Sequence, residues 1–372
     1  MTQFSPESAI KLRGVNLGGW LVLEKWMTPS LFAGLQAEDE TAWCVELGEK
    51  ASPLMQQHRQ SFICREDFIW LAEIGINAVR IPLGHWLFAA DYPYHANYGQ
   101  QKYPYVGGGV EVLDQAFDWA EETGLRVVLD LHAVPGCQNG FDNGGIKDVC
   151  EWHTLPEYQN YTLLTLERLA ERYHQRPALH AIEVLNEPRW DIPTELLRQY
   201  TLDAYQRIRK YCPAGQVAVV FHDGFRSFRE YPGFLQAPEY LNVVFDIHRY
   251  QCFSQDDVET DIYGHLQKAA IDWKNEADAI ITHSGWKTYV GEWSLGLNPR
   301  MLDFWAEQPL DSALKPMDDF QQSCAWRGYA AAQLACFEKY QGWFFWSYKT
   351  ETMPQWSFRD CVAQGWLPGN FR

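Results

Sequence analysis

Several signals that would assign the chain to a well-defined class are missing from its sequence. Positive charge is scarce, since 31 Lys and Arg stand against 48 Asp and Glu and leave a net charge of −17. A nucleic-acid-binding protein or a binder of anionic membranes is therefore not expected. The start, MTQFSPE, has no basic region and no apolar run, so no secretion signal is visible. No stretch approaches the roughly 18 apolar residues that a membrane span needs.

The cysteines are not arranged for metal or redox chemistry. Nine are present, an odd number, and no two have the C-x-x-C spacing, so neither a zinc knuckle nor a thioredoxin-type motif is predicted. Nine thiols without a visible secretion signal are typical of a reducing cytoplasm. We therefore expect a cytoplasmic protein, with a secreted chain whose signal has been removed as the alternative. No metal and no cofactor are predicted.

Apolar and aromatic residues are abundant. Hydrophobic residues make up 47% of the chain and aromatic residues 15%, which is enough for a large core. Short apolar runs recur along the chain, and because they are nearly continuous rather than alternating, they predict strands buried on both faces of a parallel sheet. The eight runs are 12–17, 76–83, 125–132, 179–187, 216–222, 242–250, 288–293 and 343–348.

The segments between these runs have a helical period. Residues 110–123 place apolar side chains on one face and are followed by Gly124, and residues 160–174 and 194–211 follow the same pattern. Eight strand–helix repeats favour a (β/α)8 barrel. A doubly wound open sheet is the alternative, but the chain lacks the G-x-G-x-x-G and G-x-x-x-x-G-K-[ST] turns that would support it.

The domain organisation predicted from the sequence is simple. No linker or low-complexity tract divides the chain, so residues 1–372 are predicted to form a single (β/α)8 domain. Long loops are expected after the first, third and seventh strands. The segments 24–70 and 294–341 are longer than a usual βα unit and are expected to hold extra helices and active-site loops.

Polar side chains stand where the predicted strands end. In a (β/α)8 barrel these ends surround the active site, and ionisable groups there are costly unless they are paired, solvated or used. Two of them are carboxylates, Glu187 on the fourth strand and Glu292 on the seventh. Glycoside hydrolysis uses such a pair, about 5–5.5 Å apart for retention and about 6.5–9.5 Å apart for inversion. The other strand-end residues are Arg80, His132, Asn186, His248, Tyr250 and Trp346.

Long motifs surround these strand ends. They are EVLNEP (183–188), GEWS (291–294), RGVNLGGWLVLEKWMTPSLF (13–32), DLHAVPGCQNGFDNGG (130–145) and GWFFWSYKTETMPQWSF (342–358). The first two resemble the clan of retaining (β/α)8 glycoside hydrolases that contains family 5, and the other three resemble its exo-β-1,3-glucanase type. The resemblance implies hydrolysis of laminarin-type β-1,3-glucan from the non-reducing end, with release of glucose.

The resemblance also implies a role for each matching residue. Glu187 would be the general acid/base and Glu292 the nucleophile. Glu24 would bind hydroxyls at the non-reducing end, and Phe141 and Phe253 would clamp the sugar beyond the cleaved bond. The remaining substrate-binding residues would be Arg80, His132, Asp142, Asn143, Asn186, His248, Tyr250 and Trp346.

Electrostatics supports this division between the two glutamates. Arg80 beside Glu292 would keep the nucleophile ionised, whereas burial and a like-charged neighbour would keep Glu187 protonated. Arg80 is also a candidate ion-pair partner of Glu183, a purely structural role.

Other interpretations stay open. Phe141 and Phe253 are candidates for plain packing, and Trp346 for the core. His222 with Asp223 suggests a metal site, although a hydrogen-bonded strand end is the favoured interpretation.

The predicted partner is a β-glucan or gluco-oligosaccharide, with no nucleic acid or membrane partner. Two alternatives lie within the same class: a β-glucosidase acting on glucolipids or short β-glucosides, and an endo-acting β-glucanase. From other classes, a catalytically inactive carbohydrate-binding barrel and a metal-dependent hydrolase are considered. The presence of both Glu187 and Glu292 argues against the inactive barrel.

Overall fold

Eight parallel strands close into a barrel in chain order, and β8 pairs with β1. The computed structural model describes residues 10–88, 104–297 and 318–372. The predicted (β/α)8 barrel is confirmed, and the open-sheet alternative is wrong. The strands are β1 Leu12–Asn16, β2 Ala78–Gly84, β3 Arg126–Ala133, β4 Leu179–Glu183, β5 Ala218–His222, β6 Val243–Arg249, β7 Lys287–Trp293 and β8 Gly342–Phe345.

α-Helices separate the strands along the chain except between β5 and β6, which are joined through a short 3-10 helix, Phe228–Glu230. The described helices are α1 Glu40–Leu47, α2 Ala51–Ser61, α3 Arg65–Glu73, α4 Gly109–Thr123, α5 Pro156–Tyr173, α6 Thr194–Arg209, α7 Gln255–Glu259, α8 Ile262–Gln267, α9 Trp273–His283, α10 Asp319–Phe337 and α11 Phe358–Ala363. The three predicted helices correspond to α4, α5 and α6. Helix α5 begins four residues before its prediction because Pro156 occupies its first turn, where a missing N–H costs nothing.

The first long segment holds extra helices, as predicted, because α1 and α2 precede α3 between β1 and β2. Between β7 and β8 the described residues contain one helix, α10, so extra helices in that segment stay a prediction. Residues 298–317, in the segment between β7 and β8, lie outside the described residues, as does the N-terminal stretch searched for a secretion signal. Within the described ranges, no helix is both long enough and apolar enough to cross a membrane.

The barrel interior changes from apolar to polar along the strands. Its apolar layer consists of Leu12, Ala78, Val128, Ala181, Ala218, Val220, Val244, Tyr289 and Phe344. Because side chains on a strand alternate with a period of two, the next inward positions toward the C-terminal ends follow directly. In β1 to β6 they are polar and buried: Asn16, Arg80, Asp130, Glu183, His222 and Asp246. The interior therefore presents a charged layer directly beneath the expected active site.

A bulge in β7 turns Glu292 into the barrel. Val290 lies opposite Ile247 of β6, but Glu292 lies opposite His248, so Gly291 is an extra residue in β7. A bulge of one residue moves every later side chain to the other face of the strand. Glu292 therefore faces the interior. In a strand without the bulge, regular alternation would turn it toward the helices.

Two predicted strands end earlier than expected. Strand β4 ends at Glu183 and β8 ends at Phe345. Beyond Glu183 the regular ladder ends, although the Asn186 N–H still donates to the carbonyl of Leu131 in β3. The next residue, Glu187, has a left-handed φ of 43°, which no strand residue adopts. The prediction that the fourth strand carries Glu187 is therefore wrong in detail, since the loop after β4 presents this side chain.

Candidate active site

A cavity of about 430 Å³ opens among the loops that follow the strands, within the range of about 300–1,000 Å³ typical of ligand pockets. Most of the predicted site residues lie on its wall. They are Glu24, Phe141, Asp142, Asn143, Glu187, Tyr250, Phe253, Glu292 and Trp346. The wall also includes four aromatic residues that were not predicted: Trp26, Trp190, Phe225 and Trp356.

Glu292 is held by one donor on each carboxylate oxygen. Arg80 donates from Nη1 to Oε1 over 3.0 Å, and the Tyr250 hydroxyl donates to Oε2 over 2.8 Å. The carboxylate is almost completely buried, with 3% of the residue exposed. Donors that bond to the ionised form favour it, so both contacts suit a carboxylate that acts as an anion.

Arg80 lies beneath the cavity and contacts several side chains at once. It donates to Glu183 over 2.8 Å and to Asn186 over 2.8 Å, in addition to Glu292, and Asp130 lies 3.1 Å from it. The two interpretations of Arg80 are therefore compatible. It is an interior ion-pair partner of Glu183 and also a direct neighbour of Glu292.

His248 connects the two glutamates. Its Nδ1 lies 2.7 Å from Oε1 of Glu187 and 3.4 Å from Oε2 of Glu292, while its Nε2 lies 3.4 Å from Asp246. Burial acts to lower the pKa of His248, but the surrounding carboxylates outweigh it and raise that pKa well above the ordinary value. The raised pKa favours the charged form of His248, in which Nδ1 donates to Glu187. The other oxygen of Glu187 accepts from Asn143 over 3.3 Å.

The pKa values of the two glutamates are ordered opposite to the sequence-based expectation. Burial acts to raise the pKa of Glu187, but the hydrogen bond and charge of His248 bring it below the ordinary value. Burial, together with the charge of Glu187, raises the pKa of Glu292 despite His248 and Arg80. The expectation fails because Arg80 divides its charge among several carboxylates, whereas His248 lies closest to Glu187.

Four predicted substrate-binding residues lie beneath the cavity wall: Arg80, His132, Asn186 and His248. His132 contacts Asp130 over 2.6 Å through Nδ1, and its ring stacks on Trp346 with 5.3 Å between ring centroids and 4° between planes. The arrangement fixes the plane of the Trp346 ring, which forms part of the wall. Trp346 also packs in an apolar cluster with Met27 and Trp356. The same side chain therefore belongs to a buried cluster and lines the cavity.

One part of the wall carries two buried carboxyl groups, Glu24 and Asp142. Burial, followed by the charge of Asp142, raises the pKa of Glu24 well above its ordinary value, and burial raises the pKa of Asp142 to about 6. Glu24 accepts from the Trp26 indole over 2.9 Å, while its other oxygen is buried without a hydrogen-bond partner among the described residues. Such a group can bind a hydroxyl of a ligand.

His222 and Asp223 have the hydrogen bonds of a structured strand end. Nδ1 of His222 accepts from the Gly224 N–H over 2.9 Å, so the proton of the neutral ring is on Nε2. Although His222 has side-chain ligand atoms within 4.8 Å of those of Glu187 and His248, a protonated Nε2 is not a metal ligand. Asp223 accepts from the Phe225 N–H over 2.7 Å.

A closed (β/α)8 barrel with two buried glutamates on the wall of one cavity, joined by an imidazole, is the arrangement of a barrel glycoside hydrolase. Comparison with protein families agrees, since the family model described as Cellulase (glycosyl hydrolase family 5) matches residues 54–351. The chain belongs to glycosyl hydrolase family 5.

Curated relatives are similar over nearly the whole chain. The glucan 1,3-beta-glucosidase of Blumeria graminis is 36% identical, covering 96% of this chain and 87% of the relative. A protein of the same name from Lachancea kluyveri is 33% identical, covering 98% of this chain and 88% of the relative.

Solved structures share the fold. The rutinosidase from Aspergillus niger superimposes with a TM-score of 0.77 at 20% identity, covering 98% of this chain and 99% of that chain. Cel5A of Thermotoga maritima, solved with cellobiose, gives 0.55 at 15% identity, covering 97% of this chain and 99% of that chain.

The sequence contained a signal for some of the unpredicted wall residues. Trp26 and Trp356 lie inside two of the long motifs, and Phe225 ends the short HDGF motif at 222–225. Trp190 follows the EVLNEP motif but belongs to no pattern of its own, and only the folded loop shows that it reaches the cavity.

Proposed function

We propose that the chain is a retaining glycoside hydrolase that removes glucose from the non-reducing end of β-1,3-glucan. The relatives named glucan 1,3-beta-glucosidase support this substrate. The apolar wall with a few buried polar groups also suits a neutral sugar, whose ring faces are apolar and whose edges carry hydroxyls.

The spacing of Glu187 and Glu292 carries the proposal. Nδ1 of His248 lies 2.7 Å from an oxygen of one and 3.4 Å from an oxygen of the other. Those two oxygens are therefore closer together than the lower limit of about 6.5 Å for inverting enzymes. A short separation of this kind favours direct attack by a carboxylate, which retains configuration, over attack by a water molecule held between sugar and base.

In the proposed first step, Glu292 attacks the anomeric carbon while Glu187 protonates the departing glycosidic oxygen. Arg80 and Tyr250 orient the attacking carboxylate through one donor on each oxygen. His248 supplies the proton that Glu187 needs across their 2.7 Å contact. In the second step Glu187 takes a proton from a water molecule while the water oxygen attacks the anomeric carbon, which breaks the glycosyl–Glu292 bond and releases glucose. Return of that proton to His248 restores the starting state.

The wall residues support cleavage of a terminal sugar unit. Glu24 and Asp142 are buried carboxyl groups that would bind hydroxyls of the terminal unit, and Trp346 would lie under its ring. Phe141 and Phe253 would hold the following unit. Phe253 is half exposed and packs edge-on against Tyr250, with 5.4 Å between ring centroids.

The test is hydrolysis of laminari-oligosaccharides followed by NMR. Glucose should be the first product, and it should appear as the β-anomer before mutarotation. Glucose appearing first as the α-anomer would contradict retention, and a mixture of longer oligosaccharides would indicate endo action. A wild-type protein that binds the oligosaccharides without cleaving them would be an inactive carbohydrate-binding barrel.

Variants of the two glutamates test their roles. Glu292→Gln should abolish turnover while oligosaccharide binding survives, because the amide keeps the shape of the side chain but is not a nucleophile. Glu187→Ala should lose activity and recover part of it with azide on a substrate with a good leaving group. Glu195→Gln is the matched control, since this side chain is 87% exposed on α6, and it should leave activity unchanged.

A second candidate function is hydrolysis of β-glucosides with an apolar aglycone. The aromatic rings around the cavity favour it, because they would also bind a lipid or an aryl group. Comparison of kcat/KM for laminaribiose, an aryl β-glucoside and a glucolipid under the same conditions distinguishes the two functions.

A further inference from the structure

The cavity rim carries a second pair of aromatic side chains besides Phe141 and Phe253. Trp190 is 59% exposed and Phe225 is 45% exposed, yet both line the cavity that contains the two glutamates. Their ring centroids are 6.4 Å apart and their planes are inclined by 69°. Large aromatic side chains exposed together beside a ligand pocket are typical of a binding surface.

The backbone holds Phe225 in a conformation that bulky residues rarely adopt. Its φ is 58°, in the left-handed region, and the preceding Gly224 has a φ of 62°. Hydrogen bonds to two buried side chains fix this turn, since Asp223 accepts from the Phe225 N–H and His222 accepts from the Gly224 N–H. Such strain persists only where the surroundings enforce it, and it is concentrated at functional sites.

Arg226 ties the Phe225 turn to the loop that carries Trp190. Its guanidinium donates to the carbonyl of Trp190 over 2.7 Å and also to the carbonyl of Ile192. The hydrogen bonds of Arg226 therefore join the loops after β4 and β5, which carry the two rings. We call the Trp190 and Phe225 rings the platform. Because the platform is already ordered, it loses less conformational entropy when it binds a ligand.

The platform lies near the proposed general acid, Glu187, which contacts the oxygen that departs with the reducing-end part of the glucan. Trp190 is three residues beyond Glu187, so their Cα atoms are at most about 11 Å apart. Beside it, Arg189 and Asp191 form an ion pair over 2.6 Å. Rings flanked by charged groups suit a sugar, which has apolar faces and hydroxyl edges, better than an acyl chain.

We propose that Trp190 and Phe225 form a subsite for the second glucosyl unit on the reducing-end side of the cleaved bond, beyond the unit held by Phe141 and Phe253. This inference rests on the proposed function and extends it to a preference for chains of three or more units. Laminaribiose would leave the platform empty, whereas laminaritriose would cover it.

The test compares kcat/KM for these two oligosaccharides. Trp190→Ala should lower the value for laminaritriose about tenfold and that for laminaribiose less than about twofold, because only the longer chain contacts the ring. Trp190→Phe should retain most of the wild-type preference. Tyr263→Ala is the matched control, since Tyr263 is 77% exposed on α8 and is not on the cavity wall.

An unchanged laminaritriose-to-laminaribiose ratio of kcat/KM in Trp190→Ala would overturn the subsite, whether both values stay at the wild-type level or fall by the same factor. A loss confined to aryl β-glucosides or glucolipids would also overturn it and assign the platform to an aglycone. If the wild type cleaves neither oligosaccharide, the proposed function fails instead. Calorimetry with laminaritriose then decides the subsite: binding about tenfold weaker in Trp190→Ala supports it, and equal binding overturns it.

Discussion

Tyr250 contributes one of the two hydrogen bonds that orient Glu292. Burial raises the pKa of its hydroxyl well above the ordinary value, so the group keeps its proton and donates. In Tyr250→Phe the carboxylate loses this donor while the ring remains. We expect kcat/KM on laminari-oligosaccharides to fall about 10²-fold, with the melting temperature close to that of the wild type.

Tyr205→Phe is the matched control for this variant. The Tyr205 hydroxyl donates to the carbonyl of Leu241 over 3.2 Å at the protein surface, away from the cavity. Its removal should leave kcat/KM unchanged. Equal activity of Tyr250→Phe and the wild type would show that the hydrogen bond does not assist Glu292.

The identity of the main site residues could be predicted, but their protonation could not. Glu187 and Glu292 stand out because a carboxylate at the end of an apolar strand needs a reason to be there. The opposite order of their pKa values depends on distances of about 3 Å from His248 and Arg80. Sequence spacing does not contain those distances, so it could not indicate that His248 lies closer to Glu187.

Among the elements, the bulge in β7 has the most direct consequence for the site. A Cβ at Gly291 would lie 2.0 Å from the carboxylate of Asp246, which accepts from the Gly291 N–H over 2.7 Å and also contacts His248. Gly291→Ala should therefore displace Asp246 and the imidazole. We expect a stability loss of about 1–3 kcal/mol from overpacking and a loss of most activity, measured by thermal unfolding and steady-state kinetics.

Gly215→Ala is the matched control, because no atom lies within 4 Å of the Cβ that it adds. It should retain wild-type activity and change the unfolding free energy by less than about 0.5 kcal/mol. Normal activity in Gly291→Ala would mean that β7 can present Glu292 without this close contact.

The strands were predictable because each carries a nearly continuous apolar run, and the helices because their apolar residues recur on one face. The ends of β4 and β8 were not, because apolar and aromatic residues continue past Glu183 and Phe345 after the backbone has left the ladder. The bulge was also invisible, since it is defined by which residue of β6 lies opposite Glu292. Pairing of this kind is a property of two strands and is absent from either one alone.

On the scale of the whole molecule, closure of the barrel brings distant parts of the chain to one cavity. Glu24 follows β1, Phe141 follows β3, Glu187 follows β4 and Trp346 follows β8. Closure of the barrel also gives the aromatic residues two different positions, in the core or on the cavity wall. Trp343 is buried in the core around the barrel, while Trp346 and the rim residues face the cavity.

The net charge of −17 leads to a prediction about how the whole molecule meets its substrate. A neutral β-glucan is neither steered nor repelled by an acidic protein, so kcat/KM for laminari-oligosaccharides should change less than about twofold between about 0.05 and 0.5 M NaCl. A carboxymethylated β-1,3-glucan is anionic and should be cleaved faster as salt screens its repulsion. Comparing the two salt slopes cancels the steric effect of the carboxymethyl groups, which does not depend on ionic strength. A steep salt dependence for the neutral oligosaccharide would instead mean that charge controls access to the cavity, and it would contradict a neutral glucan as the preferred substrate.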